Sequence, residues 1–218
     1  MFEKWLGGRR EQPGQSSAPE ILGLALGGAF ELDPLLLRIL QPELVQPPVP
    51  RARRIAAVGR VELDADTELL RFYTEDDAYL QLVVDAPRSD SRVRDCKFWQ
   101  FFDTRSVGSQ KDWDELLHAR ISQPTYALEG HSYVRVWQDA GGESPAVAMT
   151  ESTWTDGEAS TTTATDQFAM LYERVLPGER AEYLLVAGEE IIKDHRAERV
   201  LVLSTGFDVT VAEILVVG

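Results

Sequence analysis

From Ile55 onward, apolar and polar residues alternate in short runs divided by acidic turns. Arg54–Leu63, Glu68–Thr74 and Tyr79–Asp85 read as three strands, parted by Asp64–Asp66 and Glu75–Asp77. Turns that short cannot carry a parallel crossover, so the spacing predicts an antiparallel meander. Lys97–Asp103 carries Phe98, Trp99, Phe101 and Phe102, a strand whose two faces both read as buried. Further strands are expected at Thr125–Leu128, Ser132–Gln138, Ala146–Trp154, Gln167–Leu176, Ala181–Ala187, Glu190–Lys193, Arg199–Leu203 and Val209–Val217. Asp156-Gly157 and Pro177-Gly178 are turn pairs between them.

Helical periodicity is confined to two places. Asp33 suits an N-cap and Pro34 a first helical position, so a short helix is predicted over Pro34–Leu40. Pro42, Pro47, Pro48 and Pro50 end it and make an extended connector. Asp112–Arg120 is the second helix, with Trp113, Leu116, Leu117 and Arg120 at i, i+3, i+4 and i+7. The expected fold is α+β and mainly β, an antiparallel sandwich or half-barrel with two or three short helices. No repeat at solenoid or propeller spacing is evident.

The first part of the chain differs in character. Residues 1–20 read as a flexible N-terminal arm, and 21–218 as one mainly-β body with a candidate subdivision near 105–125. Phe2, Trp5 and Leu6 lie at helical spacing beside Lys4, Arg9 and Arg10, a pattern that suits contact with a membrane surface or a partner. A frayed terminus explains the same residues more plainly. Gly27-Gly28 matches no nucleotide-binding frame and reads as a bend bringing Ala29–Leu32 close to the body. Arg51, Arg53 and Arg54 form a basic cluster at a strand entrance, with solvation favoured over an anion contact.

Charge sharpens this division. The 218 residues carry 36 Asp and Glu against 22 Lys and Arg, a net charge of −14. Residues 1–54 hold 7 basic and 6 acidic residues, which leaves 15 and 30 for the rest. So acidic a body is a poor ligand for nucleic-acid phosphates. It lacks any run approaching the ~20 apolar residues of a membrane span. The single Cys96 forms no internal disulfide and fits a reducing compartment. A cytoplasmic protein follows, with a location peripheral to the inner membrane as a variant of that expectation.

Candidate chemistry is sparse. His118, His131 and His195 have no His or Cys at ligand spacing, so neither a metal nor a cofactor is expected. Asp194-His195 and His131 read as turn residues, Ser160–Thr165 as a strand edge or mobile connection, and Cys96 as an inert half-buried thiol. Glu151, Asp156 and Glu158 surround Trp154, and carboxylates beside an aromatic suit a carbohydrate or cationic ligand. They are the catalytic candidates, with His131 a distant addition and Trp154 the ligand-contacting ring. The same residues also serve as ordinary strand and turn formers.

Leu22–Arg38 (LGLALGGAFELDPLLLR), Tyr133–Trp137 (YVRVW) and Met170–Val175 (MLYERV) together resemble the uncharacterised bacterial YjfK-like proteins. The Gly27–Pro34 portion is the specific part. The resemblance implies no catalytic residues, since that family has no established activity. It implies an accessory role in envelope homeostasis, beside a membrane-remodelling protein of the phage-shock type. The expectation is therefore a non-catalytic binding or adaptor protein with a membrane-associated protein partner. The alternative is an enzyme or small-molecule binder using the carboxylate and aromatic cleft.

Overall fold

Turn chemistry sets the topology. Asp64 Oδ1 accepts from the Asp66 amide at 2.8 Å, and Thr74 Oγ1 donates to Asp76 Oδ1 at 2.6 Å. Both acidic turns thus close tight antiparallel links. The computed structural model describes residues 17–137, 142–155, 162–193 and 196–217. In chain order its strands are β1 Ala29–Leu32, β2 Arg53–Glu62, β3 Thr67–Thr74, β4 Ala78–Asp85, β5 Val93–Ser106 and β6 Thr125–Leu128. They continue as β7 His131–Arg135, β8 Val147–Thr155, β9 Thr162–Leu176, β10 Arg180–Lys193, β11 Arg196–Asp208 and β12 Ile214–Val217. The helices are α1 Pro34–Leu40 and α2 Gln110–Glu115, the latter running on as a π-turn over Leu116–Arg120.

Two four-stranded meanders, β2–β5 and β8–β11, build the body. They join at two seams, β2 against β8 and β5 against β11, so hydrogen bonding runs round a closed antiparallel ring. The mainly-β antiparallel expectation holds, and ring closure is what it left unspecified. Outside the ring, β12 and β1 extend from β2, while the β6–β7 hairpin extends from β9.

Both faces of the long strands are covered, which is why they read as near-continuous apolar runs. One outer face packs Leu70, Phe72, Leu80 and Phe98 against Phe30 and the α1 residues Leu36, Leu37 and Leu40. The other packs Met170, Tyr172, Leu184 and Val186 against Trp113, Leu116 and Ile121. The inner face brings Ala57, Tyr73, Tyr79, Trp99, Ala169 and Leu185 together from six strands.

Local sequence signals explain the ends. Asp33 Oδ1 accepts from the Leu35 amide at 2.7 Å, and α1 has the bounds expected of it. α2 starts two residues earlier than its periodicity suggested, because Ser109 Oγ caps the Asp112 amide at 3.1 Å. Ala181–Ala187 and Glu190–Lys193 are one strand, not two. Gly188 continues it where an added Cβ would meet Trp113 at 2.9 Å. Val209–Val217 is not a continuous strand. Thr210 and Glu213 form a capping box that turns Val211–Glu213 into a 3-10 helix before β12 begins. Gly27 takes φ +82° and donates to the Ile55 carbonyl at 3.0 Å, making the expected bend onto the body.

The basic cluster at the entrance to β2 is only partly solvated. Arg53 is 2 % exposed, lies over the Phe98 ring at 5.0 Å and contacts Asp76 at 3.1 Å. Its Nη2 also donates to the Val49 carbonyl at 2.8 Å, pinning the proline connector. Burial works against the Asp76 carboxylate, but the Thr74 hydroxyl, Arg51 and Arg53 outweigh it and hold its pKa below the ordinary value. A depressed carboxylate stabilises the fold above its unfolded pKa, about 4, and loses that contribution as pH falls through the folded value. Asp76→Asn is expected to lower stability at pH 7 by about 1–3 kcal/mol through lost charge-assisted bonds. The gap to wild type should close on acidification, as measured by urea unfolding across that range. A gap that stays constant to pH 2 would remove Asp76 from the acid limb.

Candidate functional site

The interior of the ring contains a charged residue type that an apolar core would exclude. Gly59, in the middle of β2, pairs with Arg71 on one side and Thr153 on the other. With no side chain there, Arg71 of β3 and Glu151 of β8 meet across β2. Their Nη1 to Oε2 distance is 2.9 Å, and both side chains are almost wholly buried. Arg71 also donates to Gln167 at 2.8 Å and to Gln81 at 3.1 Å. Glu151 accepts from the Tyr73 hydroxyl at 2.8 Å and from the Gln167 amide at 2.9 Å. The cluster is self-satisfied: each charge meets its counter-charge and several hydrogen bonds.

Electrostatics agree with that closure. Burial opposes the charge on Arg71, yet Glu151, Tyr73 and Tyr79 outweigh it and hold the guanidinium above its ordinary pKa. Burial first, then Glu151, pushes the Tyr73 hydroxyl well above its own. Tyr79 is pushed up to about 12, chiefly by burial. None of these groups is poised to exchange a proton near neutrality.

The sequence candidates do not gather in one place. Glu151 points into the ring, whereas Trp154 belongs to the outer face of β8. There Trp154 lines a cleft of about 540 Å³ with Arg60, Glu62, Thr150, Ser152 and Asp166. The Trp154 ring is only 4 % exposed, and Arg60 is already paired with Glu62 at 2.9 Å and Glu68 at 2.7 Å. Asp156 and Glu158 lie outside the described residues, as do Phe2, Trp5, Leu6 and His195. His131 opens β7, exposed, beside a second cleft of about 390 Å³ that Glu173, Arg174 and Val175 also line. Cys96 is buried, its thiol pushed up to about 11 by burial and then Asp95. Among the described residues no group of His, Cys, Asp and Glu is arranged to hold a metal ion. No helix among them is long and apolar enough to cross a membrane.

A different feature stands out on the surface. Of the twelve large apolar residues that are exposed among the described residues, six belong to α1, the 3-10 turn and β12: Leu35, Ile39, Val211, Leu215, Val216 and Val217. The Asp33 amide bonds the Glu213 carbonyl at 2.9 Å, which brings the start of α1 beside the turn leading into β12. Scattered exposed apolar residues need no explanation, but such a concentration does.

The molecule is thus a closed antiparallel ring with a neutralised charged interior and an apolar outer edge. The chain belongs to the family described as protein of unknown function DUF2491, whose model matches residues 1–215. It is similar to the uncharacterized protein YjfK of Escherichia coli strain K12, at 25 % identity over 220 aligned residues, covering 100 % of this chain and 99 % of that protein. No solved structure matches.

Proposed function

We propose that the protein is a non-catalytic binding or adaptor protein that docks a protein partner on the edge formed by α1, the 3-10 turn and β12. The observation that carries this reading is that six of the exposed large apolar side chains among the described residues fall on these three short elements. The placement of Glu151 supports it too, since this carboxylate is tied to Arg71 inside the ring and does not line the cleft beside Trp154. An acidic body steers a basic partner and speeds its encounter. A role at the cell envelope is the part of this proposal that rests on the YjfK-like resemblance. The cleft beside Trp154, with Glu62 and Asp166, favours small-molecule binding as a second reading, weakened by the burial of the Trp154 ring.

The test begins with affinity purification at low and moderate salt, followed by reconstitution with the purified partner. The double variant Leu35→Ser with Ile39→Ser should weaken that complex at least about tenfold while the fold is retained, the scale of losing an interface anchor. Unchanged affinity, or no partner at either salt, overturns the adaptor reading.

A further inference from the structure

The outer edge of β12 has an unusual combination of properties. β1 and β12 pair without a bulge, from Ala29 with Val217 to Leu32 with Ile214. The bond from the Asp33 amide to the Glu213 carbonyl fixes the phase of the ladder. Residues 213, 215 and 217 direct their backbone groups at β1, so 214 and 216 direct theirs away from it. The Ile214 amide is used within the 3-10 turn, bonding the Val211 carbonyl. That leaves the Val216 N–H and C=O and the Ile214 carbonyl without a strand partner among the described residues. The four side chains of this edge strand are Ile, Leu, Val and Val, and the last three are 42–47 % exposed.

Proteins ordinarily blunt such an edge with Lys, Pro, an inward charge or a bulge, and β12 has none of these. The strand at the opposite end of the sheet differs. β6 exposes Thr125 and Ala127 and no large apolar side chain. The two chain segments that form this edge carry one sign of charge. Residues 29–33 and 209–217 include Glu31, Asp33 and Glu213 and no Lys or Arg. Glu31 lies directly opposite Leu215, on the same sheet face, and the Leu32 side chain opposite Ile214 points into the core.

We infer that the free edge of β12 accepts an extended, basic and apolar segment of a partner protein as an added strand. The Val216 amide and carbonyl supply the main-chain bonds, Leu215 and Val217 the apolar contacts, and Glu31 selects Lys or Arg. A second copy of this chain is a poorer occupant, because two bodies of net charge −14 would pair acidic edge to acidic edge. The inference rests on the adaptor reading and deepens it by naming the partner's chemistry and binding mode.

The probe is a capped peptide of about eight residues, a common strand length, with lysine and valine taking turns at every second position and threonine between them, so that both can face the side of the sheet that carries Glu31, Leu215 and Val217. Its counterpart replaces lysine with glutamate. Binding is followed by fluorescence anisotropy, and hydrogen exchange at the Val216 amide is followed by NMR. The lysine peptide should bind at least about tenfold tighter than the glutamate peptide and slow exchange at Val216 in the wild-type protein. Val216→Pro, at an outward edge position that tolerates proline, should abolish binding. Glu31→Lys should reverse the peptide preference. Should Val216→Pro fail to fold, the Val216 exchange rate and the Glu31→Lys reversal decide alone. Equal affinities, or lysine-peptide binding with no protection at Val216, overturns the inference. So does concentration-dependent protection of Val216 without peptide, which assigns the edge to a second copy. If the purified partner still depends on Leu35 and Ile39 but not on Val216, strand addition fails and the adaptor reading stands.

Discussion

Arg71→Met is expected to lower the free energy of unfolding by about 3–5 kcal/mol, because it leaves the Glu151 carboxylate buried without its counter-charge. Glu151 is 2 % exposed and reaches no other guanidinium or ammonium group at ion-pairing distance among the described residues. The double variant Arg71→Met with Glu151→Leu should recover much of the loss, since an apolar pair of similar volume avoids desolvating either ion. Recovery should be partial, as Gln167 and Tyr73 lose their partners. Urea unfolding of the wild type, both singles and the double forms a complete cycle. Additive losses would mean that the two charges do not act as a pair.

Gly59→Ala should be nearly as damaging, about 2–4 kcal/mol from overpacking and broken charge-assisted bonds together. A Cβ at Gly59 would stand 1.7 Å from Glu151 Oε1 and 3.0 Å from the Tyr73 ring. The carboxylate must leave the place where Arg71 and Tyr73 reach it. Glu151→Asp shortens the side chain by one methylene, so combined with Gly59→Ala it should be less destabilising than the sum of the two singles. A double variant that shows the full sum, measured by the same unfolding curves, would rule out the clash as the cause.

Much of the local structure was legible. The bounds of α1 and β6 follow from the residues themselves, and β2, β3 and β4 fall within one residue of their predicted ends at every boundary. These elements end on signals carried by their own neighbours: Asp33-Pro34, the Asx turn at Asp64, and Glu129-Gly130 with both residues at positive φ. What stayed hidden depends on distant residues. Nothing near Ser204 announces that β11 pairs with β5, or near Ser152 that β8 lies against β2. Long strands buried on both faces also lose the alternation that marks their extent, which is why β10 read as two pieces.

The interior cluster was partly within reach. Glu151 and Trp154 are three residues apart, an odd spacing that places them on opposite faces of a strand. Parity alone is enough to separate them. Arg71 is the one charge between Leu69 and Tyr73, in a strand otherwise fit for burial, and it faces a glycine across the ladder. A lone cation in such a run asks for an anion elsewhere in the chain. Choosing Glu151 among thirty-six acidic residues required the ring.

The bond between Arg71 and Glu151 spans 80 positions of sequence and ties one meander to the other. Its effect reaches beyond stability to alignment. If β8 slid by a single residue along β2, every side chain of β8 would change faces, turning Glu151 outward and Ser152 inward. Arg71 would then sit in the interior without the carboxylate that now pairs with it. Apolar residues at these two positions would tolerate several offsets almost equally, whereas a buried cation tolerates one. The ion pair thus works as a register key, allowing the two halves of the sheet to close in only one way.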